Sequence, residues 1–205
     1  MKLITRWGVL ILFVLAVIGC GSYHPVQYYR IETRLPDAET GIEYPLTAEI
    51  GTFSAPDFYQ DQIVFRKDEY EMGFYEFSRW IAPPTELVRT ALGEMISSSK
   101  HFQRVDIDGN IIPADIVFTG RIKKFDQVLE GEEIFAEFAA ELEAIRSDSS
   151  RIIWTAFTSV RVKQEGEGKF AATMSEAVRR GLAGAVDNFF SQPILKKISE
   201  EKVKK

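Results

Sequence analysis

The sequence predicts an α/β fold, arranged as an α+β sandwich, in which a mixed, largely antiparallel sheet packs against two main amphipathic helices in a single domain. The first observation is the spacing of the apolar residues, which changes along the chain between every second position, typical of strands, and a period of about 3.6, typical of helices. The second is length, because 205 residues suffice for one domain of ordinary size with a full core.

The amino-terminal segment predicts export and lipidation. Lys2 and Arg6 precede an apolar run at residues 7–18, which is well short of the roughly 20 residues that span a bilayer. The run ends at Gly19 and Cys20, the only cysteine of the chain. This pattern resembles the lipobox of bacterial lipoproteins, which implies cleavage between Gly19 and Cys20 and a covalent diacylglycerol and N-acyl group on Cys20. The alternative is an unmodified cysteine buried in an uncleaved helix.

The implied anchor places the domain close to a membrane. One acyl chain binds only marginally, at about 0.8 kcal/mol per buried methylene, whereas two or three chains hold a protein firmly. Gly21 stands where lipoproteins of the inner membrane usually carry Asp, so the resemblance implies the periplasmic face of the cell outer membrane. Residues 20–25 form a lipidated tether, with a reach of roughly 17 Å beyond the cysteine, and the domain is predicted at residues 26–195.

Charge and cysteine content argue against nucleic-acid binding and against disulfide bonds. The 30 acidic residues outnumber the 25 basic ones, and loss of the signal peptide, residues 1–19, removes two of the basic residues. Nucleic-acid binding needs a basic surface, so we expect no nucleic-acid partner. With Cys20 lipidated no disulfide can form, and packing must supply the stability.

The first half of the domain predicts strands followed by a helix. The predicted strands lie at residues 26–33, 46–53 and 62–67. A turn near Asp68 leads into the aromatic segment 68–84, DEYEMGFYEFSRWIAPP. Pro83 and Pro84 favour a helix start, where a missing N–H costs nothing, and this helix is predicted to end near Ser98. Its apolar stripe consists of Leu87, Val88, Ala91, Leu92, Met95 and Ile96.

The second half predicts long strands and a second helix. Further strands are predicted at residues 102–107, 114–130, 134–146 and 151–163, with turns at 108–110 and 147–150. Segment 134–146 is rich in the helix formers Ala, Glu and Leu, but its apolar residues alternate, which indicates a strand. A loop at 165–169 precedes a long second helix, whose apolar residues extend from 170 to 190. Pro193 is predicted to interrupt this helix. The charged tail, 196–205, is predicted to fray.

The aromatic segment 68–84 has two interpretations. Its residues are apolar on both faces of a strand: Tyr70, Met72 and Phe74 on one, and Gly73, Tyr75 and Phe77 on the other. In the favoured interpretation Phe74 and Tyr75 fill core space on both sides of a central strand between helices. In the alternative, Tyr75, Phe77 and Trp80 form an exposed surface that binds a partner.

A search for catalytic and metal-binding motifs finds none. GEGKF at 166–170 lacks the hydroxyl that a phosphate loop needs for magnesium, and no Gly-x-Ser-x-Gly elbow occurs. His24 and His101 are the only imidazoles, and we interpret both as solvated. DIDGN at 106–110 has its glycine two places too early for a calcium loop. We therefore predict no enzyme, no metal site and no cofactor beyond the lipid on Cys20. Paired carboxylates remain an open alternative.

Four stretches of the domain together carry a resemblance. They are FSAPDFYQDQIVFR, YEMGFYEFSRWIAPPTELV, SSSKHFQRV and RIIW. In this order they resemble the ABC-type transport auxiliary lipoprotein family, the outer-membrane lipoproteins that accompany MCE-type lipid transport systems. The resemblance extends from about residue 26 to residue 190, and 70–84 is its most specific part. Met72 and Phe74 stand where the family would have Val and Tyr.

The resemblance implies a role without chemistry. The lipoprotein would dock a periplasm-spanning MCE-domain protein, together with its ABC transporter, at the outer membrane; a homo-oligomer is left open. One alternative is a structural envelope lipoprotein that assists assembly of outer-membrane proteins or lipopolysaccharide. A second alternative is a lipid-modifying enzyme that uses two carboxylates.

Overall fold

Eight strands and three helices form the part of the chain that the computed structural model describes, residues 24–33, 43–109, 113–166 and 169–204. The strands are β1 (Gln27–Tyr29), β2 (Tyr44–Ser54), β3 (Gln62–Arg66), β4 (Met72–Trp80), β5 (Phe102–Asp106), β6 (Ile116–Glu130), β7 (Glu133–Arg146) and β8 (Arg151–Lys163). The helices are α1 (Pro84–Ser98), α2 (Phe170–Phe190) and α3 (Ile194–Val203). The predicted signal peptide and its cleavage site at Gly19 and Cys20 lie outside the described residues. No helix within those residues is long and apolar enough to cross a membrane.

One mixed sheet is organised around β6. Along one edge β6 pairs with β7 in antiparallel register over its whole length, and β8 continues this meander. Along the other edge, β2 pairs in parallel with the first part of β6 and β3 with its last part. The sheet therefore forks: β5 lies beside β2, whereas β4 and then β1 lie beside β3. The long antiparallel ladders of β6, β7 and β8 confirm the predicted mixed, largely antiparallel fold class.

Strand β7 shows why apolar spacing outweighs helix propensity here. Its inward residues, Ala136, Phe138, Ala140, Leu142 and Ala144, are all fully buried. The alanines leave room for α2, which packs on β7 and β8. Gly181 of α2 lies so close to the Phe138 ring that a Cβ atom there would be 2.9 Å from it. A helix with this sequence would spread the same residues around its surface, so the strand is the conformation that buries them.

The helices cover only one face of the sheet. Helix α1 packs on β2, β5 and β6, and it also contacts α2, so both lie in one layer. The aromatic core lies between this layer and the sheet, where Trp80 contacts Phe125 and Phe118 contacts Phe189, with ring centroids 5.2 and 5.0 Å apart. The opposite face carries exposed side chains such as Phe74 and Phe157. The expectation that β4 is a central strand between helices is therefore wrong.

The predicted fraying of the tail is also wrong. Residues 194–203 form α3, whose Leu195 and Ile198 are buried against the domain. The Lys202 Nζ lies 2.8 Å from the Asp115 Oδ2, and Arg146 forms an ion pair with Glu201. Pro193 does interrupt the helix as predicted, but it precedes a new helix that begins one residue later. The domain thus extends past its predicted end at residue 195.

Substitution of Leu195 tests whether α3 is part of the folded unit. Leu195 is 3% exposed, so Leu195→Ala is expected to lower the free energy of unfolding by about 2–3 kcal/mol, measured by urea denaturation. The matched control is Lys196→Ala, because Lys196 is exposed and should change stability by less than about 0.5 kcal/mol. Equal stability of the two variants would mean that α3 does not contribute to the core.

Candidate partner-binding surface

Strand β4 contains the aromatic segment and lies between β3 and β1. It is antiparallel to β3, with Phe74 opposite Val64 and Arg79 opposite Gln62, and its end is also parallel to β1, with Trp80 opposite Tyr29. Between Phe74 and Arg79 the register against β3 shifts, as in a β-bulge. The bulge interrupts the alternation of faces, and both Glu76 and Phe77 are exposed. This local irregularity leaves Phe77 exposed, although strict alternation would place it on the same side as the half-buried Tyr75.

The three residues of the predicted partner surface do not form one surface. Trp80 is 1% exposed and lies in the core, with its ring 5.9 Å from that of Phe170, so its predicted place on the surface is corrected. Tyr75 is half-buried, and its hydroxyl donates a hydrogen bond to Gln127 Oε1. Phe77 is 40% exposed and stacks on the His24 ring at 5.4 Å. Phe77 alone has the accessibility that a binding surface needs.

Tyr75 lines a cleft of about 230 Å³ between the sheet and the start of α2. Its walls are Tyr29, Ile63, Tyr75, Ser78, Gln127, Ile134, Gln164, Phe170 and Ala171. The side-chain oxygen of Gln164 is buried here without a hydrogen-bond partner among the described protein atoms. Buried carbonyl oxygens of this kind usually accept from ordered water, so the cleft has room and polarity for a small hydrated group.

The uncovered face of the sheet holds an ion cluster that sequence reasoning missed. The cluster consists of Tyr59, Arg66, Lys124, Asp126 and Glu137 at the fork of the sheet. Asp126 accepts a 2.6 Å hydrogen bond from the Tyr59 hydroxyl, and Arg66 Nε lies 3.4 Å from its other oxygen. Arg66 also pairs with Glu137, and Lys124 Nζ lies 2.7 Å from Glu137 Oε1. The only sequence signal was that Asp126 and Glu137 occupy predicted neighbouring strands.

The cluster fixes β3 and the loop before it to β6 at the fork of the sheet. The Tyr59 hydroxyl accepts from the Phe125 N–H at 3.0 Å while it donates to Asp126, so the loop between β2 and β3 is fixed to β6. Asp126 is only 4% exposed. Burial raises the pKa of its carboxyl above the usual range, although the hydrogen bond from Tyr59 and the Arg66 charge act in the opposite direction. Burial and the neighbouring carboxylate raise the pKa of Tyr59 as well.

The raised pKa of Asp126 predicts a pH dependence of stability. The native state binds this proton more tightly than the unfolded chain does, whose Asp pKa is about 3.9. The stability from this group is thus fully present below that value and is lost as the pH rises through the native pKa. Relative to Asp126→Asn, wild-type stability is expected to fall as the pH rises above the ordinary Asp pKa, measured by urea denaturation.

Asp68 provides the matched control for this measurement. Its carboxylate accepts from the N–H groups of Tyr70 and Glu71, both at 2.7 Å, and these bonds lower its pKa. Relative to Asp68→Asn, wild type should therefore lose stability as the pH falls below the ordinary Asp pKa, the opposite sign. If the stability difference between wild type and variant changes with pH in the same direction at both positions, the raised pKa of Asp126 is contradicted.

The two histidines lie apart and contact aromatic rings. His24 stacks on Phe77, and the His101 ring centroid lies 4.2 Å from that of Phe190. Within the described residues no group of three His, Cys, Asp or Glu side chains could hold a metal ion. The predicted turn at 108–110 is present at Asp108 and Gly109, whose N–H groups both donate to the Asp106 carboxylate at 3.0 Å. Residue 110 lies outside the described residues.

Comparisons with known proteins agree with this architecture. A family model described as the ABC-type transport auxiliary lipoprotein component matches residues 29–184. No curated protein matches the sequence significantly. The crystal structure of XCC0632 from Xanthomonas campestris has a TM-score of 0.70 at 14% identity, over 87% of this chain and 100% of that one. CT253 from Chlamydia trachomatis has a TM-score of 0.50 at 7% identity, over 71% and 95%. Such identities support the shared fold alone.

Proposed function

The chain belongs to the ABC-type transport auxiliary lipoprotein family, and from this membership we propose that it is the non-enzymatic outer-membrane component of an MCE-type lipid transport system. The acyl groups on Cys20 hold the domain on the periplasmic face of the outer membrane. The domain docks an MCE-domain protein that spans the periplasm and receives lipid from its ABC transporter. The observation that carries the proposal is the family match over residues 29–184, most of the folded domain.

The tip of the β3–β4 hairpin is the surface best suited to this partner. We define the hairpin tip by Tyr70, Met72 and Phe74, of which Tyr70 is 93% exposed. The Asp68 carboxylate fixes the turn through the Tyr70 and Glu71 N–H groups, so the tip is ordered before a partner binds. Exposed aromatic anchors of this kind, beside charged groups, are typical of residues that dominate binding energy.

Site-specific photo-crosslinking in intact cells tests the proposal. A benzoylphenylalanine at position 70 is expected to capture an MCE-domain protein, and the same group at Phe157 on β8 is the control. Phe157 is 66% exposed on the opposite edge of the sheet, so it reports nonspecific collisions. Capture of barrel-assembly or lipopolysaccharide-export proteins at position 70 would refute the MCE role, and so would equal capture at both positions.

A further inference from the structure

The edge of the sheet formed by β1 and the end of β4 carries an apolar patch that the helices leave uncovered. We define the β1–β4 patch by Val26, Tyr28, Phe77 and Ile81, all exposed, with Tyr28 and Ile81 at 65% and 66%. Single exposed apolar residues are ordinary on protein surfaces, but four in one place call for an explanation. Strand β1 is an edge strand of three residues, and within the described chain no element lies against its outer side.

The four side chains are neighbours because of the strand register. Tyr28 is opposite Arg79, which is midway in sequence between Phe77 of β4 and Ile81, the first residue after β4. The Ile81 N–H donates to the Tyr29 carbonyl at 2.7 Å, which holds Ile81 beside β1. Opposite and diagonal side chains on paired strands lie about 5–8 Å apart, so these residues form one continuous surface. The His24 ring stacked on Phe77 extends that surface toward the amino terminus.

The position of Cys20 determines what can cover the patch. Cys20 precedes His24 by four residues, which span at most about 14 Å when fully extended. With the acyl groups of the proposed anchor in the hydrocarbon core, the Cys20 backbone would lie at the headgroup layer, itself about 5–8 Å thick on each side. His24, and Phe77 beneath it, are therefore held within a short distance of the lipid.

We propose that the β1–β4 patch lies on the phospholipid surface and fixes the orientation of the domain on the membrane. The proposal rests on the lipid anchor of the proposed function. Tyrosine places an apolar ring and a polar hydroxyl at the headgroup level, where such side chains are enriched, and Val26, Phe77 and Ile81 insert beside it. Phe77, predicted to bind a protein partner, thereby contacts lipid.

Depth-dependent fluorescence quenching on the lipidated full-length protein tests this orientation. Because the Cys20 thiol is acylated, Ile81→Cys provides a single free thiol for an environment-sensitive fluorophore. Phe157→Cys is the matched control, since both positions are 66% exposed but lie toward opposite edges of the sheet, roughly 19 Å apart across the four strand spacings from β4 to β8. Each labelled protein is reconstituted into vesicles of phosphatidylethanolamine and phosphatidylglycerol that contain a spin-labelled phospholipid.

The label at position 81 is expected to lose most of its emission to the spin-labelled lipid, whereas the label at position 157 keeps its emission. Adding Tyr28→Ser and Phe77→Ser should reduce quenching at position 81 without changing the melting temperature. Flotation of the protein with the vesicles, but equal emission at the two positions, would overturn the orientation and leave the anchor intact. Failure to float would refute the anchor, and the orientation with it. A label at 81 that is shielded by a second copy, shown by crosslinked dimers without quenching, would also overturn the proposal.

Discussion

Replacement of Trp80 by alanine is expected to lower the free energy of unfolding by about 3–5 kcal/mol, which corresponds to a fall in Tm of roughly 10 °C. Trp80 is fully buried and joins three parts of the fold, since its ring contacts Phe125 of β6 and Phe170 of α2 while its backbone pairs with β1. Truncation leaves a cavity that these rigid neighbours cannot fill. Differential scanning calorimetry and urea denaturation measure both quantities.

Phe77→Ala is the control that separates the core from the surface within one strand. Phe77 lies three residues before Trp80 and is 40% exposed, so its truncation should cost less than about 1 kcal/mol. A destabilised Trp80→Ala protein that still binds its partner when folded would agree with a core role. A Trp80→Ala protein with unchanged Tm and weakened partner binding would contradict it, and would restore Trp80 to the binding surface.

Cys20→Ser is expected to abolish both acylation and retention in the outer membrane. Serine provides no thiol for the diacylglycerol, and without two or three acyl chains the remaining membrane affinity is marginal. Metabolic labelling with radioactive palmitate followed by separation of the two membranes on a sucrose gradient measures both effects. Copurification of an MCE-domain protein from solubilised envelopes should be lost in the same variant, because the domain no longer reaches its partner.

Gly21→Asp is the matched control for Cys20→Ser, because it alters sorting without removing the thiol. This variant should incorporate palmitate as wild type does but move to the inner-membrane fraction. Palmitate incorporation into Cys20→Ser would show that the lipid is attached elsewhere. Retention of Gly21→Asp in the outer membrane would show that residue 21 does not direct localisation in this protein.

The sequence determined the elements whose evidence is local. Alternation of apolar residues located β6, β7 and β8, and it identified β7 as a strand against its helix propensity, because burial of one face stabilises a segment more than intrinsic preference does. The paired prolines located the start of α1. The family resemblance, confirmed by the match over residues 29–184, likewise depended on residues read in order along the chain.

The tertiary structure decided the features that depend on neighbours distant in sequence. The register of β4 against β3 shifts between Phe74 and Arg79, so no period within the segment could reveal that Trp80 is buried while Phe77 is exposed. The ion cluster exists because Tyr59, Arg66 and Glu137 meet Asp126 at the fork of the sheet. The charged tail folds as α3 because Leu195 and Ile198 find an apolar surface on the domain. In each case the free energy comes from contacts that chain order does not specify, and only the assembled sheet determines which apolar side chains stay exposed.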